Sequence, residues 1–434
     1  MSQATPPINH ALSPVPESSR VFGLREHASL WFSLGVGLLV MQVGAYLVPA
    51  TGIREAVWAT FLGSLLGAAL LAWVGKIGCD TGLSSAGLMH RTYGTLFARL
   101  PVLLNIVQLL GWTIFEMVVM REGSVAIVGQ ALGLELSGAT ATLVATLFWG
   151  LVLAALLAGS MLTLVRKFVS HYGLPLVVLS LLWLSWQFGD FLAENGWAQF
   201  WNRPGDGSMT MFGALDLVIA MPVSWLPLVA DYARHGRSGR TAFAGIWFGY
   251  AIANMWCYAL GVMVISSVGP DTNMVNALLL AQGGLIALGL ILIDELDNAY
   301  GDLYSGSVSA HSLLPKWSIR RWGMGLALVS TALALVLPMH TLEPFLLTLS
   351  SVFVPLYGVI LGRNVLGGAR RTPEAKTLHL WPALLWLLGI AFYHSIGQWA
   401  PGFGSALPTL LLTFLVALLT RPRASPSGAQ VEAC

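Results

Sequence analysis

Charge is what this chain has least of. Of its 434 residues only 10% are Asp, Glu, Lys or Arg, against about 25% in an ordinary soluble domain, while 56% are hydrophobic and the mean hydropathy is +0.74. Such a balance excludes a soluble enzyme. It also excludes a nucleic-acid binder, because the net charge of +2 arises from 22 basic and 20 acidic side chains sorted among loops, not pooled on one surface. Cysteine is scarce: Cys79, Cys257 and Cys434 show neither metal-ligand spacing nor a disulfide pattern. There is no HExxH, no GxSxG and no paired-histidine motif; His90, His171, His311, His340 and His394 are scattered, so catalysis is not expected. Residues 1–28 carry Pro, Ser and charge without an apolar core, so no cleavable signal peptide is expected and the first membrane helix serves as the targeting signal.

Long apolar runs fill the rest. Windows of about 20 apolar residues predict an all-α membrane protein with twelve spans, near 29–50, 54–75, 97–120 or beyond, 138–160, 168–188, 210–230, 241–268, 276–304, 321–338, 342–366, 379–397 and 404–420. Residues 1–28 and 421–434 are then tails on one side. Placing both termini in the cytoplasm puts nineteen of the 22 Lys and Arg residues inside and leaves Arg54, Arg121 and Arg203 elsewhere, as the positive-inside rule requires. The basic clusters (Arg166 with Lys167, Arg234 with Arg237 and Arg240, Lys316 with Arg320 and Arg321, Arg370 with Arg371 and Lys376) read as topology anchors. Residues 189–209 form the longest outer loop, with Trp197 and Trp201 suited to an interfacial belt. A multi-pass protein of a bacterial cytoplasmic membrane, with the lipid bilayer as its partner, is the expectation; nothing in the sequence sets an oligomeric state.

Against this background one segment stands out. After the run Ala277–Ile293, interrupted only by Gln282, come Asp294, Glu295, Asp297, Asn298 and Asp302. A carboxylate at mid-bilayer costs roughly 2.5 to 3.5 kcal/mol on insertion scales, so such a cluster must face a bundle interior, water, a proton or a cation. Asp294, Asn298 and Asp302 recur every four residues and share one helical face. Two spans are breakable: the first has Gly35, Gly37 and Gly44 around Gln42, and the sixth has Pro222 and Pro227 within AMPVSWLPLVAD. Interrupted helices at matching positions of two halves point to a transporter binding site, although no similarity between the halves is visible in the sequence. In the third span Gln108, Trp112 and Glu116 share a face, and Gly111 lets a flat ligand or a neighbouring helix come close. An indole, an amide and a carboxylate together suit a planar ring with N–H and carbonyl groups at its edge; Trp112 as plain core and a Glu116–Arg121 packing pair are the alternatives.

GKIGCDTGLSSAGLMHRTYG (75–94), QLLGWT (108–113), MPVSWLPLVADYARHGR (221–237) and DELDNAY (294–300), in this order, resemble the nucleobase:cation symporter-1 family over residues 25–420. LWF near Leu30, QLLGWT and MPVSWLPLVADY are most similar to its CytX-type permeases, assigned to hydroxymethylpyrimidine, the pyrimidine precursor of thiamine. The resemblance implies a LeuT-type fold: two inverted five-helix repeats (about 29–188 and 210–366) with broken helices 1 and 6, and two extra helices (about 379–420). It implies that Trp112 stacks on the base and that Gln108 is its polar companion, one residue further from the tryptophan than in cytosine permeases. The stacking aromatic of helix six aligns with Pro222, which argues against cytosine and leaves Trp225, one turn on, or another residue to supply the second face. The family's two cation-binding hydroxyl residues align with Asp294 and Glu295, so carboxylates stand where neutral ligands are expected and can bind sodium or carry a proton.

The reading that results is a secondary active importer of a pyrimidine base, most closely hydroxymethylpyrimidine, driven by proton or sodium entry without any cofactor. Its substrate set is Gln42, Gln108, Gly111, Trp112, Glu116, Pro222, Ser224, Trp225 and Asn298; its coupling set is Asp294, Glu295 and Asp297, with Asp294 and Glu295 as the candidate sodium ligands. Cytosine, a purine, an allantoin-like compound or an amino acid would use the same architecture. The loop DYARHGRSGR is assigned to topology and gating.

Overall fold

The computed structural model describes residues 9–133, 138–161, 172–269, 273–337, 341–364 and 376–421. Arg166, Lys167, His171, His340, Arg370, Arg371, Cys434 and nearly all of the expected C-terminal tail lie outside the described residues. Helices of eight residues or more are numbered here in chain order. The first half contains α1 (Leu24–Ser33), α2 (Leu38–Thr51), α3 (Ile53–Thr81), α4 (Ser85–Tyr93), α5 (Arg99–Leu132), α6 (Ala139–Leu157) and α7 (Leu174–Asn195). The second contains α8 (Met211–Ser224), α9 (Leu226–Ala233), α10 (Gly239–Val268), α11 (Gly284–Leu313), α12 (Ile319–Val336) and α13 (Leu342–Asn364). Two further helices follow, α14 (Leu380–Trp399) and α15 (Ala406–Leu419).

Among the described residues nine helices are long and apolar enough to cross a membrane, α8 and α9 counting as one, and the bent pair α1–α2 makes a tenth. The remaining two of the twelve expected spans exist as helices but differ in kind. With 30 residues, α11 reaches about 45 Å at 1.5 Å per residue, yet Asp294, Glu295 and Asp297 interrupt its apolar surface. With 14 residues, α15 reaches only about 21 Å, short of the ~30 Å hydrocarbon core. The expected span 276–304 is not continuous. Met274–Leu279 forms its own short helix, and Gly283, at φ 70, turns the chain in a left-handed conformation before α11 begins.

Both broken spans are present, with different geometry. Between α1 and α2 the axis turns by 59°, and Gly37 at the joint is extended (φ 170, ψ 155). Between α8 and α9 only Trp225 intervenes, and Met211–Ala233 still counts as one span. The halves mirror each other in packing: α1 and α2 lie on α10, as α8 and α9 lie on α3. Small residues permit both approaches. A Cβ at Gly261 or Gly249 of α10 would stand 2.0 Å from the Met41 carbonyl oxygen or 2.4 Å from that of Ala28; one at Gly67 of α3 would stand 2.2 Å from the Pro222 ring.

Two loop expectations need revision. The first helix begins at Leu24, not near 29, because Glu26 accepts a hydrogen bond from the Gly23 N–H and caps its first turn (2.8 Å). The residues before it are no free tail. Val15 N–H bonds to the Gly82 carbonyl (2.9 Å), Val21 and Phe22 N–H groups to the His235 carbonyl (2.8 and 2.9 Å), and Asn9 to the Ser312 carbonyl (3.1 Å), so residues 9–23 strap one end of the bundle. Similarly, 189–209 is largely helical: α7 runs to Asn195, Trp197–Trp201 forms a further turn, and Asp206 N–H bonds to the Pro49 carbonyl (2.8 Å). Trp197 and Trp201 are exposed.

Candidate functional site

Where α1 unwinds, its freed backbone groups need partners, and α11 supplies them. Asn298 Nδ2 donates to the Val36 carbonyl (3.0 Å), and the Leu38 N–H, first of α2, donates to Glu295 Oε1. Ser33, in the last turn of α1, donates to Asp294 Oδ1 (2.6 Å) and lies 3.2 Å from Asp297 Oδ2. Gly37 is the residue that allows this contact, since a Cβ there would stand 3.1 Å from Glu295 Oε1 and 3.4 Å from Asn298 Nδ2. A carboxylate at the N-terminus of α2 also meets the positive end of that half-helix.

From the other side α5 faces α11. The carboxyl group of Glu116 lies beside that of Glu295, and Asn105 Nδ2 bonds to Ser309 Oγ (3.0 Å) and the Pro227 carbonyl (3.1 Å). The two helices therefore run antiparallel, and Asp302 falls opposite the turn that carries Trp112. Gln108 Nε2 donates to Asn105 Oδ1 (3.0 Å) and to the Ser224 carbonyl at the α8–α9 joint (3.2 Å).

Hydrogen bonding sorts the buried acids. Asp216 caps the start of α15 through the backbone N–H groups of Ser405 and Ala406, and Asp231 accepts from Ser85 N–H (3.0 Å) and from the Ser305 hydroxyl. Both are structurally accounted for. By contrast, Glu116 Oε2, Asp294 Oδ2 and Asp302 Oδ2 have no protein partner, and neither do Gln108 Oε1, Trp112 Nε1 and Asn298 Oδ1. Each of these six residues is at most 5% exposed. A buried polar group without a partner costs ~1–3 kcal/mol and more if charged, so these six on neighbouring turns of α5 and α11 make this region the candidate site. Among the described residues, no three or more His, Cys, Asp or Glu side chains converge as a metal-ligand set.

The expected residues are not all gathered there. Gly111 faces Phe345 of α13, whose ring carbons would lie 2.9 Å from a Cβ, so it admits a neighbouring helix. Pro222 packs on Gly67 of α3. Ser224 takes part through its carbonyl, its hydroxyl being bonded to the Met221 carbonyl (2.7 Å). Trp225 is buried edge-on to Trp31 (centroids 6.3 Å apart) and borders Gly301. Gln42 is half-buried and lines a separate cavity of 340 Å³ with Leu39, Tyr46 and Phe115, at the end of the bundle opposite the strap. Arg121 donates to the Ala334 carbonyl and not to Glu116.

Sequence reasoning missed three participants. Phe345 stands edge-on to Trp112 and packs on Phe115 (both 5.2 Å), so the pair Phe115–Phe345 separates that cavity from Trp112; nothing in the local sequence marks it. Ser33 was detectable as a hydroxyl just before the Gly35/Gly37 break. Asp302 was visible in the polar stripe, although its position opposite Trp112 depends on the α5–α11 register.

A family profile described as "Permease for cytosine/purines, uracil, thiamine, allantoin" matches residues 14–375. Cytosine permease of Escherichia coli (strain K12) is 24% identical over 426 residues, covering 93% of this chain and 94% of the relative, and the Escherichia coli O157:H7 protein of that name gives the same figures. Among solved structures, MHP1, described as a nucleobase-cation-symport-1 family transporter in a closed conformation with bromovinylhydantoin bound, superposes with a TM-score of 0.78 at 14% identity over 95% of this chain and 94% of that one. MhsT in complex with L-phenylalanine gives 0.63 at 17% identity over 90% and 98%. At these identities the structural matches establish the fold, which is LeuT-type.

Proposed function

Because the chain belongs to the family of permeases for cytosine/purines, uracil, thiamine and allantoin, and is a transporter and not an enzyme, we propose that it imports a pyrimidine-type base across a bacterial cytoplasmic membrane. Transport is coupled to cation entry by alternating access, with both termini in the cytoplasm. One observation carries this reading: the unpartnered Gln108 Oε1, Trp112 Nε1, Glu116 Oε2 and Asp302 Oδ2 lie along facing turns of α5 and α11 beside an indole ring. Three acceptors and one donor beside a flat aromatic suit a heteroaromatic ring carrying N–H or amino groups and a ring acceptor. An amino-acid substrate would bring its own carboxylate into a site already lined by acids.

Hydroxymethylpyrimidine is the substrate we favour, on the resemblance of QLLGWT and MPVSWLPLVADY to the CytX-type permeases and on a proline, Pro222, where cytosine permeases carry a stacking aromatic. Cytosine is the second reading, supported by the cytosine permease relatives at 24% identity. For coupling, Asp294, Glu295 and Asp297 surround the break in the first span, and a proton suits acids that have no basic partner among the described residues better than sodium does.

The test is uptake of labelled hydroxymethylpyrimidine into cells lacking their own pyrimidine permeases, in sodium-free medium, with and without a protonophore and with cytosine, uracil, purines and amino acids as competitors. Saturable, protonophore-sensitive uptake blocked by close pyrimidine analogues is expected. A sodium requirement would move the coupling role to sodium ligation at Asp294 and Glu295, and absence of any pyrimidine uptake would refute the substrate class.

A further inference from the structure

We propose that the groove between α6 and α12, on the outer surface of the bundle, is a binding site for an anionic phospholipid. These two spans have the least buried surface among those described, so this corner of the bundle faces lipid. They pack antiparallel, since a Cβ at Gly150 would stand 2.5 Å from Thr331 Oγ1 and one at Gly323 would stand 3.3 Å from Leu157 Cδ2. Beside that seam is a cavity of 870 Å³, lined by Leu147, Leu151 and Ala154 of α6 and by Met324, Gly325 and Leu328 of α12. Leu151 and Leu328 are each 72% exposed, and a Cβ at Gly325 would meet nothing within 4 Å, so the groove stands open. The buried side of α12 packs on α11, with Leu326 against Gly306. The helix therefore separates the groove from the acids of α11.

One end of the groove is basic. Arg320 and Arg321 line it together with Trp317 and Ser318, at the end of the bundle where the strap bonds to Ser312. No Asp or Glu lines the cavity, and among the described residues neither arginine forms an ion pair. The turn that presents them is held in place: His311 Nδ1 lies 2.7 Å from the Trp317 carbonyl, Trp322 Nε1 donates to the Leu314 carbonyl (3.1 Å), and the two indoles pack with centroids 4.8 Å apart. Indoles suit the headgroup level of a bilayer, and guanidinium groups bind phosphate in two-pronged fashion. From Arg320 to Thr331 the groove descends eleven residues, roughly 17 Å along a helix, against ~15 Å for one leaflet of a ~30 Å hydrocarbon core. An acyl chain thus fits below a phosphate held by the arginines. A soluble phosphate would leave the apolar part empty, and a zwitterionic lipid would bring its own cation to two guanidinium groups that have no counter-charge. Charge alone can anchor topology anywhere on a cytoplasmic loop; this pair closes an apolar groove one leaflet deep, the arrangement that recognises an anionic headgroup.

The experiment titrates the full chain in detergent with phosphatidylglycerol, phosphatidylcholine or inorganic phosphate and follows the bound species by native mass spectrometry. Wild-type protein is expected to hold phosphatidylglycerol about 30-fold more tightly than phosphatidylcholine, roughly fivefold for each arginine near the headgroup. The double substitution Arg320→Gln with Arg321→Gln should abolish that preference. Gly325→Leu, which fills the groove and keeps both arginines, should lose the bound phosphatidylglycerol. Arg99→Gln, at an exposed basic residue of the same end outside the groove, should leave the preference intact. Equal affinity of the wild type for the two lipids overturns the proposal, as does a preference that survives the double substitution or falls as far in Arg99→Gln. Inorganic phosphate bound as tightly through the same two arginines overturns it as well. A second readout uses spin-labelled phosphatidylglycerol in phosphatidylcholine vesicles containing the protein. Its motionally restricted fraction should shrink in the double variant, and an unchanged fraction refutes the site.

Discussion

Replacing Gly37 by Ala tests the joint between the broken span and α11 with a single methyl group. The backbone there is extended (φ 170, ψ 155) and any residue can adopt it, so the substitution adds no backbone strain and acts through space alone. The new Cβ would stand 3.1 and 3.3 Å from the two Glu295 carboxylate oxygens and 3.4 Å from Asn298 Nδ2, a few tenths of an ångström closer than ordinary contact. Glu295 and Asn298 must yield, and with them the bonds to the Leu38 N–H and the Val36 carbonyl. Partial loss of two bonds, one of them to a charged group, amounts to ~1–2 kcal/mol, or about a 5- to 30-fold loss in apparent affinity for the coupling ion and substrate. Transport kinetics against external pH, together with thermal unfolding in detergent, separate the outcomes. A raised KM with little change in Tm is expected. Wild-type kinetics, or a fall in Tm that accounts for all lost transport, would refute the idea that this joint forms the site.

Three further outcomes follow from the same geometry. Trp112→Ala should weaken base binding by ~1–3 kcal/mol, the usual worth of base–aromatic stacking, and an affinity within twofold of wild type in equilibrium binding would remove Trp112 from the site. Gly261→Ala puts a Cβ 2.0 Å from the Met41 carbonyl oxygen, where no side chain can swing aside, so it should lower Tm by several degrees, an overpacking cost of ~1–3 kcal/mol, whereas Gly325→Ala, with open space around it, should not. Burial pushes the His235 imidazole down to about 3 and that of His90 down to about 4. Both stay neutral in the folded chain while the unfolded chain takes up protons below about 6.5, so their contribution is complete above that pH and is lost as pH falls toward 4. Thermal scans should show a plateau above pH 7 and a decline between 6.5 and 4, which His235→Asn makes shallower.

The fold was legible because the bilayer imposes a simple code. Each of the twelve expected spans corresponds to a helix or bent pair, and the Gly35–Gly37 break and the acids after Ile293 were readable as polar or helix-breaking residues in hydrocarbon. What escaped depends on how helices meet. Glu116 and Glu295 are 179 residues apart in the chain and come together only through the antiparallel register of α5 and α11, so Glu116 read as a substrate group and Glu295 as a coupling group with no sign that they are neighbours. Phe345 lies in an unremarkable apolar run, and its place against Trp112 comes from the approach of α13 to Gly111. Pro222 was singled out as a breaker, yet its ring fills a hollow that Gly67 leaves on a different helix. Within 276–304 hydropathy could not detect the turn at Gly283, since glycine is as compatible with an apolar span as with a break in it.

The strap formed by residues 9–23 bonds at once to the α3–α4 turn of the first half, at Gly82, and to the second half at His235 and Ser312. It is thus a clasp across the seam along which the two halves would part at that end. If that end opens by parting the halves, these bonds must break, so they favour the arrangement in which it is shut. Every ~1.4 kcal/mol they contribute shifts that balance tenfold. Residues 9–23, remote from Trp112 and Glu116, would therefore lengthen the time the opposite mouth stands available to the substrate.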